Sequence, residues 1–274
     1  MRARGVTTEV VPNDEHGEID VSALTAMLDD RVRLVAVSHM PTNGGLLQPA
    51  AAVGAALRGS SALYLLDACQ TVGQAPVDVR EIGCHLLSVT GRKYLRGPRG
   101  TGFLYCDAGV LQGLTPPLLD GHAAEWTSRD AYTVRDDARR FENWEHPIAN
   151  ELGLGAAVDY AVDLGMDAIW GRVRTQAATL RNCLSRVPGV TIHDLGEVKG
   201  GIVTFTVAGV APRAVMEELA RQTINVRTSG VSSTRFDMED RGLDEIVRAS
   251  VHYLTTDAEI DLLSSAVEHL AATA

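Results

Sequence analysis

The chain has 274 residues, 45% of them apolar and 22% charged, with a net charge of −10. That composition is globular and excludes a disordered, collagenous or coiled-coil chain. The acidic balance argues against a nucleic-acid partner, because neutralising phosphates needs surplus cation. No apolar run is long enough to span a bilayer, so no membrane association is expected.

The first half alternates short β-rich runs with helical patterns. Val32–Ser38 is a near-continuous apolar run and predicts a strand buried on both faces, as in a parallel sheet. A Pro-Thr-Asn-Gly-Gly turn follows it, then an Ala-rich helix across Ala50–Leu57. Leu63–Leu66 predicts a strand ending at Asp67, Leu86–Val89 one ending at Thr90, and Gly102–Cys106 a third after a Gly/Pro/Arg loop. Thr115–Pro147 is polar and aperiodic and reads as a loop-rich connection. Glu151–Leu164 and Asp167–Val187 carry helical spacing. Beyond them come a strand at Gly201–Val207, a helix at Pro212–Gln222, and strands at Ile224–Arg227 and Ile246–His252. A closing helix spans Thr256–Ala272, with Thr256 as N-cap and Glu259 completing a capping box. The fold class is therefore α/β: a large domain over residues 1–165 with a mostly parallel sheet and flanking helices, then a small α+β domain over 166–274.

Four cysteines (Cys69, Cys84, Cys106, Cys183) form no CxxC and pair with no histidine at zinc spacing. They read as reduced thiols of a cytoplasmic protein, and no metal site is expected. Met1–Gly5 leads into no apolar core of a signal peptide, so none is expected. Gly153-x-Gly155 opens a helix but follows no strand, which argues against a dinucleotide site. Trp126 and Trp144 fall in the loop-rich stretch, where they suit simple packing, a dimer interface or the rim of an active site.

In open α/β sheets ligands sit beyond the carboxyl ends of the strands. Three strand ends here carry polar residues: Ser38 before His39–Gly45, Leu66 before Asp67-Ala68-Cys69-Gln70, and Val89 before Thr90-Gly91-Arg92-Lys93. Asp67 needs a donor or cationic partner, which an N-cap or salt bridge could supply as well as a ligand. Lys93 lies among Arg92, Arg96 and Arg99, where a basic surface loop is the plain reading. Yet Lys93 and Lys199 are the only lysines in a chain with 25 basic residues. Arginine cannot deprotonate to serve as an amine nucleophile, whereas lysine can. An acid after one strand, with a lysine and phosphate donors after another, suits pyridoxal phosphate.

Four blocks in order then resemble one family. Leu65–Gly73 with Pro76–Val79, Thr90–Gly102, Arg140-Phe141-Glu142 and Val247–Tyr253 are similar to segments of the class V aminotransferase-fold, cysteine-desulfurase-like enzymes. The resemblance implies pyridoxal phosphate on Lys93 as a Schiff base, with Lys93 later moving the substrate proton. It implies Asp67 on the pyridinium, Gln70 on the phenolic oxygen, and Thr90 and Arg92 on the phosphate. Thr42 or Asn43 falls where the family has a cofactor-contacting Asn. Arg248 would bind the substrate carboxylate, or else make a salt bridge between domains. A homodimer is implied, with the loop after Arg140 contributing to the partner's site. An aminotransferase acting on an amino-acid-like substrate is expected first, a C–S lyase or epimerase next, and an inactive pyridoxal-phosphate-binding scaffold as the rival.

Two departures stand out. Desulfurases of the family carry a nucleophilic Cys on the mobile loop that here reads Thr228–Arg235 and has none, so persulfide hand-off is not expected. Cys69 reads instead as a small buried filler. Family members also have a long section upstream that walls the cofactor, and Met1–Val11 resembles the strand after it. The chain is thus expected to be short at its N-terminus.

Overall fold

The computed structural model describes residues 5–273. Helix α1 (Val21–Met27) is capped by Asp20, whose carboxylate accepts from Ser22 N and Ala23 N. Next come β1 (Leu34–Ser38), α2 (Ala50–Ala56), β2 (Leu63–Asp67), α3 (Val79–Ile82), β3 (Leu86–Thr90) and β4 (Gly102–Cys106). They form a four-stranded sheet in the order β1-β2-β3-β4. β1, β2 and β3 run parallel, with Ser38 beside Asp67 and Asp67 beside Ser88. β4 returns antiparallel, because only a loop and no crossover helix separates it from β3.

The predicted strand at Val32–Ser38 is shorter and is covered on one face only. Val35 and Val37 are buried, while Leu34, Ala36 and Ser38 face out. The run predicted as loop holds a hairpin of β5 (Ala124–Ser128) and β6 (Ala131–Val134) after a short α4 (Ala108–Leu111), and then a 3-10 turn at Ala138–Phe141. Its strands are short and mostly exposed, so no buried face marks them by hydrophobic alternation.

Helix α5 (Ile148–Leu164) starts three residues before the predicted one, so Gly153 and Gly155 lie inside it rather than at its opening. Gly165, with φ 85°, divides it from α6 (Met166–Ser185). β7 (Val190–Ile192), β8 (Ile202–Val207), α7 (Pro212–Arg221), β9 (Arg227–Gly230), α8 (Arg235–Asp240), β10 (Glu245–Ser250) and α9 (Asp257–Ala272) complete the fold. The second sheet is wholly antiparallel in the order β7-β8-β10-β9. The strand predicted at Ile224–Arg227 lies later, at β9. Ile224 N still bonds Leu219 O as the chain leaves α7, and the ladder with β10 begins only at Arg227. The expected strand at Met1–Val11 is also absent over Gly5–Val11, and residues 1–4 lie outside the described ones.

Each sheet has its own apolar cluster. Val35, Val37, Tyr64, Leu66, Leu87 and Val89 pack with α2, α5 and the first half of α6 through Ile169 and Val173. Val203, Phe205, Val247 and Ala249 pack with α7, α9 and the second half of α6 through Ala177, Leu180 and Leu184. Polar contacts join the halves. Gly200 N donates to Gly45 O at 2.7 Å and Leu47 N to Val198 O at 3.0 Å. The fully buried Gln74 accepts from Gly201 N at 2.9 Å.

Candidate active site

The carboxyl ends of β2 and β3 bring Asp67 and Thr90 to one edge of the parallel sheet. Asp67 is exposed, and its Oδ1 accepts from Cys69 N at 2.9 Å. Lys93 follows in the turn after Thr90. Its amine makes no hydrogen bond or ion pair with the described residues. Burial pushes the Lys93 amine below the ordinary lysine range. Cys69 and Asp67 oppose that shift, while Arg92 and Arg248 reinforce it.

Gly73 shapes this corner. Its φ is 94°, and a Cβ there would lie 2.5 Å from Leu95 N. Only glycine lets the turn after Asp67 lie so close to the backbone that carries Lys93.

Arg248 reaches in from β10. Its Nη1 donates to Thr42 Oγ1 at 2.7 Å and to Thr42 O at 3.3 Å. Thr42 Oγ1 also accepts from Gln70 Nε2 at 3.0 Å, so Gln70, Thr42 and Arg248 form one chain of contacts across the two halves. The Arg248 Nε is buried without a partner, and burial lowers its pKa from the ordinary arginine value. The Nε–Nη2 edge, which a carboxylate would grip with two hydrogen bonds, is thus left unused.

The structure sets these predicted residues together: Asp67, Gln70, Thr90, Lys93, Thr42 and Arg248. Arg92 stands beside Lys93 but is exposed and makes no hydrogen bond to the described residues. Asn43 is diverted. It is 3% exposed, donates to Gly230 O and Met238 Sδ, and accepts from the Ser229 hydroxyl, which fastens it to the second sheet. Cys69 is half-buried beside the lysine, and its thiol is pushed up by burial and by Asp67.

Sequence reading passed over Tyr94 and His252. Their rings stack with centroids 5.6 Å apart, and His252 Nε2 lies 3.2 Å from Tyr94 O. The Tyr94 hydroxyl is buried without a partner. Their positions in two of the resembling blocks were the available signal. The loop after Arg227 contains β9 and a 3-10 turn at Val231–Ser233, with Ser229 buried against Asn43. Trp126 and Trp144 are 78% and 64% exposed.

The open α/β sheet thus gathers at its strand ends a lysine amine with no partner among the described residues, a carboxylate and a half-free guanidinium. The chain belongs to the Aminotransferase class-V family, which it matches over residues 1–263. It is 34% identical over 274 residues to a probable cysteine desulfurase of Methanothermobacter thermautotrophicus, covering 99% of this chain and 68% of the relative. Its fold is similar to the apo cysteine desulfurase of Thermococcus onnurineus NA1, with a TM-score of 0.89, 26% identity, and coverage of 97% of this chain and 66% of that one. It is similar also to a cystine C–S lyase in complex with its product cysteine persulfide, with a TM-score of 0.79, 25% identity, and coverage of 90% and 64%. The chain spans about two thirds of the length of the proteins it matches.

Proposed function

We propose that the chain is the lysine-bearing part of a pyridoxal-phosphate enzyme that breaks the C–S bond of a cysteine-like amino acid. One observation carries this reading: a lysine amine with no hydrogen bond or ion pair to the described residues, in the turn after β3, beside the strand end that carries Asp67 and the site into which Arg248 reaches. The donor set fits the cofactor. Lys93 offers an amine for its carbonyl, Asp67 a carboxylate for its ring nitrogen, Gln70 a side-chain amide for its phenolic oxygen, and Thr90 and Arg92 donors for its phosphate. When bound, pyridoxal phosphate supplies an aldehyde that condenses with amines and a ring that withdraws electrons from the α-carbon.

The chain's own groups do the rest. The free Nε–Nη2 edge of Arg248 holds the substrate carboxylate, and Thr42 fixes that guanidinium from behind. A lowered amine pKa leaves more of Lys93 neutral near pH 7, so its Nζ can take the α-proton. Sulfur then departs with its bonding pair. The segment Arg227–Asp240 holds no cysteine to accept that sulfur. Sulfide is therefore released, and water converts the remaining carbon skeleton to a keto acid and ammonia.

The names of the relatives support C–S cleavage better than transamination, the first expectation. Epimerisation has no specific support. The test is product analysis on the chain with pyridoxal phosphate and L-cysteine, beside borohydride trapping. Sulfide with equimolar pyruvate, and cofactor fixed on Lys93, are expected. Alanine in place of pyruvate would overturn sulfide release. Cofactor on Lys199, or on neither lysine, would favour the inactive-scaffold reading.

We further propose domains at 1–165 and 166–274, a reading supported by the separate sheets and apolar clusters. A homodimer is supported by the exposed apolar side of α5 (Ile148, Leu152, Val162) beside the aromatic hairpin with Trp126 and Tyr132. Sedimentation of the purified protein tests it. Four free thiols support a cytoplasmic setting. Among the described residues no helix is long and apolar enough to cross a membrane.

A further inference from the structure

We propose that His252 and Tyr253 are positioning residues for Lys93: side by side after β10, they hold the lysine's turn at its central peptide and at its left-handed closing residue. This role rests on the reading of Lys93 as the reacting amine. Lys93 begins a tight turn. Its carbonyl accepts from Arg96 N at 2.9 Å, and Gly97 N donates to Gly91 O at 2.8 Å, which closes the loop at its base. The peptide joining Tyr94 to Leu95 is the centre of that turn. Type I and type II turns differ by rotation of this peptide, so its direction needs a hold from outside. Among the described residues the donor to the Tyr94 carbonyl is His252 Nε2, at 3.2 Å.

Arg96 closes the turn at φ 62°. It is one of two non-glycine residues in the left-handed region among the described ones, and an arginine does not favour that conformation by itself. The hold again comes from outside. Arg96 Nη1 donates to the Tyr253 hydroxyl at 3.2 Å, and the guanidinium lies 5.3 Å from the centre of the Tyr160 ring on α5. Two consecutive side chains thus reach the two points at which the turn could change shape.

The partners of His252 assign its tautomer. A carbonyl only accepts, so Nε2 carries the proton toward Tyr94 O, and Nδ1 accepts from Leu254 N at 3.4 Å. Burial, with Arg96 nearby, lowers the ring's pKa and keeps it in this neutral form. The ring is fixed on both sides. It stacks on Tyr94 with an interplanar angle of 13° and meets the Tyr253 ring at a centroid distance of 4.0 Å. Tyr94 is 7% exposed, and a Cβ on Gly201 would come within 2.7 Å of its hydroxyl, so that ring is wedged between the halves. Val251 N donates to Gly201 O and His252 N to Thr255 Oγ1, both at 2.9 Å, which anchors the segment. The stretch Arg248–Tyr253 therefore carries both the guanidinium that reaches into the site and the hold on the lysine's turn. One strand end sets the spacing of the two groups, and reacting groups tolerate little misplacement.

The test compares three variants of the full chain. His252→Phe keeps a stacking ring and loses the donor, His252→Gln keeps a donor and loses the stack, and Tyr253→Phe loses only the hydroxyl. Each is treated with hydroxylamine, which frees any lysine held as an imine. Acylation across a pH series with mass spectrometry then reads Lys93, with Lys199 as the internal control, and hydrogen exchange reads the Arg96 and Gly97 amides. In His252→Phe those amides should exchange about tenfold faster or more. The half-modification pH of Lys93 should rise by about half a pH unit as the amine gains solvent. His252→Gln should restore both readouts toward the parent. Tyr253→Phe should speed exchange at Arg96 by about threefold or more. Lys199 should keep its profile throughout. Parental exchange and a parental Lys93 profile in both Phe variants would overturn the proposal. So would a change in His252→Gln as large as in His252→Phe, because that outcome assigns the residue to packing alone. If His252→Phe does not fold, Tyr253→Phe decides by the same readouts. None of them needs turnover, so a chain that cleaves no C–S bond would sink the proposed activity and leave this role standing.

Discussion

Burial and charge act in opposite senses on Lys93. Desolvation lowers its amine pKa, and the Asp67 carboxylate raises it. Removing that carboxylate with Asp67→Asn should therefore shift the amine further down. Acylation followed by mass spectrometry across a pH series reads this directly, because the chain has only two lysines. The half-modification pH of Lys93 should lie below that of a free lysine, and lower still in the variant. A shift upward would show that Asp67 does not face the amine. His39 gives a second titration. It is 5% exposed, its Nδ1 has no partner, and burial lowers its pKa from 6.5 to about 4. The unfolded chain then takes up this proton first as pH falls from 6.5 toward 4. The stabilising contribution is complete above that window and is lost through it. The difference corresponds to about 3 kcal/mol. Urea unfolding at pH 7 and pH 4.5 should show a smaller pH-dependent loss in His39→Gln than in the parent. Equal losses would mean that His39 is protonated in the native state.

At the level of elements, strand positions in the first half were readable because each apolar run stops at a polar residue that begins the site. Asp67, Thr90 and Lys93 came from that pattern. That Asn43 is held by Ser229 and Met238, far along the chain, while Thr42 meets Gln70 and Arg248, was visible only in three dimensions. Neither the antiparallel return of β4 nor the one-sided cover of β1 was readable. An apolar run looks the same whether one side or both are packed. The hairpin was hidden by its short, exposed strands, whereas the last helix announced itself through Thr256 and Glu259, whose reciprocal bonds form as expected. The turn after β2 offers a sharp test of how one element aims another. Gly73→Ala places a methyl against Leu95 N at a positive φ, so the turn and the Lys93 loop cannot both keep their positions. A loss of about 1–3 kcal/mol is expected, with faster hydrogen exchange at Lys93–Leu95. Unchanged exchange there would show that the loop does not depend on this contact.

Across the whole molecule, α6 is the member shared by both cores. Its first half packs through Ile169 and Val173 under the parallel sheet, and its second half through Ala177, Leu180 and Leu184 under the antiparallel one. A continuous helix cannot easily melt in one half and persist in the other, because helix formation is cooperative along its length. Half-buried Arg181 strengthens the coupling. It sits on the same helix, pairs with the fully buried Asp194 at 2.6 Å, and donates to Gly200 O and Ile202 O at the junction of the halves. The two sheets should therefore unfold in one transition even though each has its own apolar cluster. Val173→Ala weakens only the first cluster and Leu180→Ala only the second, with losses of about 1–3 and 2–5 kcal/mol. Both variants should lower the midpoint of a single calorimetric transition that coincides with the loss of far-ultraviolet circular dichroism. Two transitions, each moved by one variant alone, would show that α6 parts near Gln176 and that the halves are independent folding units.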